Sequence, residues 1–499
     1  MKQIADDVAT VSSSPALGFA SGVLMEGDHI RAPPSLRWQL DIRCRCRRCQ
    51  CTYNCRVAPI ESGRQRTLAG WGRVPVVPGY QVRAEDLEAI TADVPLTRGL
   101  GRAYGDAALP AAGDLRIAGS TLADRVLHFD PQSGLMTAEA GLSLDELYRA
   151  FLPRGWFTPV TPGTRFVTLG GMVAADVHGK NHHVDGCFGR HVTSLRMRVG
   201  DGRIVTCSRS EHPDLFFASI GGMGLTGHIL EVTVQLAHVP TPWVYQEMER
   251  VPNIDAFMDA LKGAAANWPM TMGWIDCLSS GGSMGRGVLF RGRWARPDEA
   301  PRAFPALRPP IPVPFMMPSG LLGRHTVRAF NAVYYRLPHP NRKVIHPKGF
   351  FYPLDVAGDW HRGYGSRGFT QYQCVLPASG GHAAVRRFLD VVTRGGNASF
   401  LCVIKDCGPE GEGILSFPKP GTSIALDLAM RDDTQQLVDQ MNDCVIAEGG
   451  RIYLAKDALT RPEHFRAMET RLDRFLEIRR TWDPDGRIRS AQSVRLFGW

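Results

Sequence analysis

Residues 161–183, TPGTRFVTLGGMVAADVHGKNHH, decide how the rest of the chain is read. The last six positions hold three histidines, His178, His182 and His183, and one lysine, Lys180. So many imidazoles in a short run suggest a metal site. A metal, however, needs ligands that converge on one point, commonly with carboxylate or thiolate partners. Here the histidines follow Gly170, Gly171 and a run of small residues. Small side chains let a flat or extended ligand lie against the backbone. The stretch therefore reads as a wall for an organic cofactor, with no metal.

Two further glycine-rich turns flank it. TRGLGRAYGDAA (97–108) places Gly99, Gly101 and Gly105 within seven positions, a pattern that brings backbone N–H groups close to an anion. It is not the dinucleotide fingerprint G-x-G-x-x-G, because the third glycine comes one residue late. SIGGMGLTGHI (219–229) adds four glycines before an apolar strand pattern. One such turn is commonly no more than a turn. Three of them along one stretch point to an extended cofactor cradled by main chain.

Composition sets wider bounds. A chain of 499 residues is too long for one compact core, and roughly 150 residues per domain suggests two or three. The chain is 44% hydrophobic and 21% charged, a globular balance. The net charge of +9 points weakly to anionic partners. Five cysteines crowd CRCRRCQCTYNC: Cys44, Cys46, Cys49, Cys51 and Cys55. Structural zinc sites favour paired cysteines separated by a loop, and this cluster has no distant second pair. Residues 1–66 are expected to be a disordered basic extension, and a nucleic-acid role built on it is not favoured. There is no apolar run of about 18 residues and no signal-peptide order of basic, apolar and small-residue segments. A cytoplasmic protein, or one peripheral at the cell envelope, is expected.

Local patterns give elements. VRAEDLEAI (82–90) reads as a helix, and 125–141 as a hairpin with its turn at 131–134. LSLDELYRAFLPRG (142–155) is a helix capped by Ser143, with Glu146 three residues on and Gly155 at its end. A hairpin covers 195–208, and 212–236 reads as helix, glycine turn and strand. Composition changes after Pro240. IDAFMDALKGAAANW is helical, 301–323 is a Pro-rich apolar loop, and RPEHFRAMETRLDRFLEIRRTW (461–482) reads as one helix. The fold class is α+β. The expected divisions are a first domain over 67–240, a second over 241–440 with an antiparallel sheet, and a C-terminal segment over 441–499 that returns to the first.

In that order, RGLGRAYGD, PGTRFVTLGG…DVHGKNHH and GGMGLTG resemble the FAD-binding (PCMH-type) domain of the vanillyl-alcohol-oxidase-type flavoproteins. Within them, the branch that oxidises polyprenyl-phosphoryl ribose is the most similar, through FYPLDVAGDWHRGYGSRGFTQYQCVLP (351–377), SFLCVIKDCGP (399–409) and GGRIYLAKDAL (449–459). The resemblance covers roughly 67–499. It implies a two-subdomain FAD-binding domain and oxidation of the 2′-hydroxyl of a lipid-linked phosphoryl ribose, the first half of epimerisation to the arabinose form for cell-wall arabinan. A short-chain NAD(P)H-dependent reductase would be the partner. A sugar-lactone or polyol oxidase, such as a D-arabinono-1,4-lactone oxidase, is the alternative on the same fold.

The resemblance also implies roles. Thr97, Arg98, Gly99, Leu100, Gly101, Arg102, Ala103, Tyr104, Gly105, Asp106 and Ala107 would hold the FAD pyrophosphate. Gly163, Thr168, Leu169, Gly170, Gly171, Ala175, Asp176, Val177, His178, Ile229 and Cys402 would line the rest of the cofactor. Tyr104, His178, Lys180, Cys374 and Lys405 would surround the flavin ring and sugar, with Cys374 as an active-site thiol. Relatives that bind FAD covalently carry a histidine where this chain has Arg102, so non-covalent FAD is implied.

The residues add their own argument. Lys405 lies between FLCVI and a Gly-Pro turn, a setting that suggests the end of a buried strand, where a lysine readily loses charge. His178 suits a base or an orienting group, while His182 and His183 read as structural. Cys374 sits in an alternating strand pattern and could equally be an inert buried thiol. The 301–323 loop is expected to act as a lid touching a prenyl chain or a membrane surface.

Overall fold

The computed structural model describes residues 65–304, 309–337, 339, 341–396 and 399–499. The Cys44–Cys55 cluster and nearly all of the 1–66 extension lie outside them; the first described strand, Gln65–Ala69, starts just before the expected boundary at 67.

Three sheets organise the chain. The first has the order Gln65–Ala69, Val76–Arg83, Arg116–Gly119, Thr97–Arg98; its last three strands run parallel. The second is antiparallel, in the order Val126–Phe129, Leu135–Glu139, His228–Gln235, Val192–Arg198, Ile204–Ser208. The hairpins expected over 125–141 and 195–208 both belong to it. The third, of eight strands, runs from Arg342–Ile345 through Val244–Val251, Gly287–Trp294, Met270–Ile275, Cys402–Cys407, Gly421–Ala429 and Phe369–Pro377 to Arg451–Ile452. Its pairings are antiparallel throughout.

The alternation of a strand sends successive side chains to opposite faces, and on the eight-stranded sheet this separates packing from chemistry. One face meets the helices Ile254–Ala265, Gly381–Gly395 and Thr434–Ala447. There Phe257 fills the space over Gly273, and Tyr372 stacks near Phe388 while its hydroxyl donates to Asn442 Oδ1 at 2.9 Å. The other face carries Met272, Gln371, Gln373, Val403, Lys405 and Ala425 toward a cavity. One hydrophobic core runs from Ala84 to Leu496, so both sheet regions share a single buried interior.

The helix Leu144–Phe151 forms as its sequence dictates. Ser143 Oγ accepts from Glu146 N–H and Glu146 Oε2 accepts from Ser143 N–H, while Gly155 ends the following turn at φ +79°. Two expectations need correction. Only Leu87–Ile90 of 82–90 is helical, with Asp86 as its cap, because Val76–Arg83 pairs instead with Arg116–Gly119. The C-terminal run is two helices, Pro462–Met468 and Leu472–Trp482. Between them Glu469 leaves helical geometry, buried and paired with Arg471 at 2.7 Å.

Candidate active site

A cavity of about 360 Å³ lies between the glycine-rich turns and the open face of the eight-stranded sheet. The three turns read from the sequence all reach it. Thr97, Gly99, Leu100, Gly101, Arg102, Ala103, Tyr104 and Ala107 line it from the first; Gly163, Thr168, Gly170, Gly171, Ala175, Val177 and His178 from the second; Met223, Gly224, Gly227 and Ile229 from the third. Gly101 takes φ +65°, which favours glycine. A Cβ on Gly99 would come within 2.4 Å of Thr168 Oγ1, so the first two turns pack in direct contact. Thr168 caps the short helix Leu169–Ala174 by accepting from Gly171 N–H at 3.3 Å. Gly163 faces open space. A long wall of glycine, alanine and exposed main chain suits FAD, whose dinucleotide is extended and whose ring is flat.

Part of the cavity is cationic. Lys180, Lys405 and Lys456 converge on it, from the loop after the second turn, the strand Cys402–Cys407 and the C-terminal segment. Burial, with the Lys405 charge adding to it, lowers both Lys180 and Lys456 to about 7; burial lowers Lys405 as well. Lys180 Nζ donates to Phe351 O at 3.1 Å. Lys405 Nζ lies 3.4 Å from His178 Nδ1, and the other ring nitrogen meets Gln373 Nε2 at 3.0 Å. Burial, then the Lys405 charge, push the His178 ring well below its ordinary value, so it is neutral at pH 7.

Asp427 is a carboxylate whose charge acts on Lys456. It accepts from Tyr364 Oη–H at 2.8 Å and from the Gln371 amide, and burial raises it to about 6. Gln371 Oε1 and Gln373 Oε1 are buried acceptors without a hydrogen-bond partner among the described residues. Tyr104 stands edge-on to Phe369 with centroids 5.6 Å apart, and burial holds its phenol protonated. Arg102 lies over the Trp71 ring at 3.9 Å, which orders it at the cavity edge.

Of the sequence-expected groups, Lys405, His178, Tyr104 and Lys180 meet in this cavity. Cys374 and Cys402 do not. Cys374 alternates with Gln371 and Gln373 and faces the helix layer, fully buried. Cys402 alternates with Val403 and Lys405 and turns toward Cys277. No cysteine lines the cavity among the described residues. Five further turn residues do not line the cavity. Arg98 donates to Ala69 O and Ala108 O, and Asp106 pairs with Arg495. Gly105 packs on Asp457 O, and Leu169 is core. Asp176 accepts from Gly189 N–H at 2.8 Å and from Ser416. His182 Nδ1 accepts from Gly408 N–H at 3.1 Å and His183 Nε2 meets Trp268 O at 2.8 Å, so both brace the loop.

Sequence reasoning missed Lys456, Gln371, Gln373, Tyr453 and Trp71, all at the cavity. The alternation in QYQCVLP carried a signal for the glutamines, since it places them opposite the cysteine. Lys456 sits in YLAKD, much as Lys405 sits in CVIKD. Nothing local marked Trp71.

Comparison with known proteins agrees with this geometry. Residues 89–208 match the FAD binding domain family. Over 458 residues the chain is 35% identical to decaprenylphosphoryl-β-D-ribose oxidase of Mycolicibacterium smegmatis, covering 86% of this chain and 97% of that protein. An uncharacterised Streptomyces coelicolor protein is 33% identical over 71% of this chain and all of its own length. A putative D-arabinono-1,4-lactone oxidase of Neurospora crassa is 29% identical over only 22% of this chain and 20% of its own. The likeness over almost the whole length of the first protein, with the cavity built as its cofactor requires, shows that the chain is an FAD-dependent oxidoreductase belonging to the decaprenylphosphoryl-β-D-ribose oxidase family.

Proposed function

We propose that the protein oxidises the 2′-hydroxyl of a polyprenyl-phosphoryl ribose to the 2′-ketone. The step would open an epimerisation to the arabinose form for cell-wall arabinan, with a separate short-chain NAD(P)H-dependent reductase completing it. The observation that carries the reading is the convergence of Lys180, Lys405 and Lys456 on the cavity, beside His178 and Tyr104. A cationic pocket suits a phosphate-bearing substrate better than a neutral lactone, and the likeness to lactone oxidases spans only 22% of the chain.

Removing hydrogen from a secondary alcohol requires loss of an O–H proton and a hydride; FAD, when bound, supplies the hydride acceptor. The turns at 97–107, 163–171 and 175–178 would hold it non-covalently, since Arg102 offers no nucleophilic ring nitrogen. His178, neutral and held between Lys405 and Gln373, is suited to orient the substrate hydroxyl as it loses its proton. The lysines would stabilise negative charge on the substrate oxygen and phosphate, and Gln371 and Gln373 would line the pocket beside the sugar. Tyr104 would close the pocket beside Lys456. The same reading divides the chain into an FAD-binding part (67–240), a substrate part (241–440) and a returning C-terminal part (441–499), and places the protein at a membrane periphery. No helix among the described residues is long and apolar enough to cross a membrane.

The test is direct. Purified protein should be yellow, release its flavin on acid denaturation, and reduce that flavin when given polyprenyl-phosphoryl ribose. Turnover of arabinono-lactone without any need for a phosphate would replace this reading with the lactone-oxidase one. A colourless protein would end both.

A further inference from the structure

Residues 301–354 hold eight Lys/Arg and no Asp or Glu, where the average of the chain would place about five acids. The same region concentrates exposed apolar side chains. Among the described residues, eight of the fifteen exposed large hydrophobics lie between Phe304 and Leu337. Ile311 is 68% exposed, Phe315 61% and Val333 61%. A run of this kind, exposed among the described residues and with no acid in its own sequence, is unusual on a protein that meets only water.

Its position ties it to the cavity. Ile311–Pro312 pairs in parallel with Ala357–Gly358, Val313 N–H donates to Gly358 O at 2.8 Å, and Met317 N–H donates to Arg362 O at 3.0 Å. Leu354, Asp355, Ala357, Gly358, Asp359 and Trp360 line the cavity. The apolar segment is thus strapped to the outside of the cavity wall. The helix Arg324–Arg336 follows it, oriented by burial of Val327 and by Asn331, which donates to Asp276 Oδ1 at 2.9 Å. That anchoring leaves Val333, Arg324, Arg328 and Arg336 exposed, and none of these arginines pairs with a carboxylate among the described residues.

We infer that this face docks on an anionic phospholipid surface, with Ile311, Phe315, Met316 and Leu321 entering the acyl boundary and the arginines meeting lipid phosphates. Apolar insertion and electrostatic attraction add in such interfaces. The absence of acids favours a lipid surface over a protein partner, because a protein interface gains specificity from both signs of charge. The inference deepens, and rests on, the reading of the cavity as a site for a lipid-linked sugar: a docked enzyme would receive its substrate without the prenyl chain crossing water.

Flotation of the full-length holoenzyme with vesicles tests it, using phosphatidylcholine alone and phosphatidylcholine mixed with phosphatidylglycerol. The protein should float with the anionic vesicles and be released by high salt. The variants Ile311→Asp/Phe315→Asp and Arg324→Glu/Arg328→Glu should each lower partition about tenfold or more. Their flavin absorbance and their turnover of a short-chain substrate should be unchanged. The basic N-terminal extension is present in every protein compared, so the differences isolate this face. Equal partition of wild type and variants, or no flotation with anionic vesicles, overturns the inference. So does loss of co-elution with a reductase partner in the variants while the wild type ignores vesicles, which would assign the face to that partner. Flotation that persists without turnover of the lipid-linked ribose would instead refute the proposed substrate and leave the membrane surface standing.

Discussion

The chemistry at residue scale turns on charge held in a confined space. Three lysines share one cavity, and for Lys456 burial is offset in part by Asp427. A lysine lowered to about 7 is charged below that pH and loses its charge as pH rises through it. If charged Lys180 and Lys456 bind the substrate anion, kcat/KM for the phosphoryl substrate falls on the alkaline side of pH 7. Bound phosphate favours the charged form, so in the complex the fall in kcat moves to higher pH. Steady-state profiles at constant ionic strength check this, and a flat profile from pH 6 to 9, an interval of about three units around the shifted value, would sink the assignment. Lys456→Met should lower kcat/KM about 100-fold, as loss of one preorganised charge commonly does, with the flavin spectrum retained. Lys405 was legible because its flanks signalled a buried strand end, while His178 and Lys180 were named through the family resemblance. Lys456 carried the same kind of flank and still went unread, since only the fold brings it beside the other two.

At the scale of elements, alternation decides which side chains do chemistry. The nine-residue strand Phe369–Pro377 sends Gln371 and Gln373 to the cavity and Tyr372 and Cys374 to the helix layer. The sequence showed the period but not which of its two faces was which, because both are apolar or amide-bearing and both are buried. Burial pushes the Cys374 thiol far above its ordinary value, so it is protonated and shielded. Cys374→Ala should therefore cost about 1 kcal/mol of stability through lost packing and leave flavin reduction by substrate unchanged. Cys374 should resist thiol reagents in the folded protein; rapid labelling of Cys374 that abolishes turnover would return it to the active site. The turns behave differently. Their glycines were legible because glycine is needed where backbones meet, as at Gly99 against Thr168.

Over the whole molecule, the C-terminal segment closes the site. Tyr104 N–H donates to Ala455 O at 2.9 Å, Tyr453 Oη–H donates to Ala175 O at 2.9 Å, and Arg495 joins Asp106 of the first turn to Asp457. These contacts connect both ends of the described chain across one cavity. Removing Arg495 leaves two buried carboxylates facing each other, so Arg495→Ala should cost about 3 kcal/mol of stability. It should also weaken FAD retention, because the first turn loses its brace. Thermal unfolding and flavin release on dilution measure both, and tight flavin in a destabilised variant would uncouple the two.

The sequence by itself determined the cofactor wall: glycine spacing, small residues and helix caps are local requirements that hold wherever the chain goes. It also determined the acid-free apolar stretch, which is a property of composition. Only the tertiary structure decided which cysteines and glutamines face the cavity, that Lys456 completes a trio with Lys180 and Lys405, and that Asp106 serves Arg495. Those choices depend on strand pairing and on contacts between residues hundreds of positions apart, where the energy comes from burial shared among elements and leaves no periodic mark in any one of them.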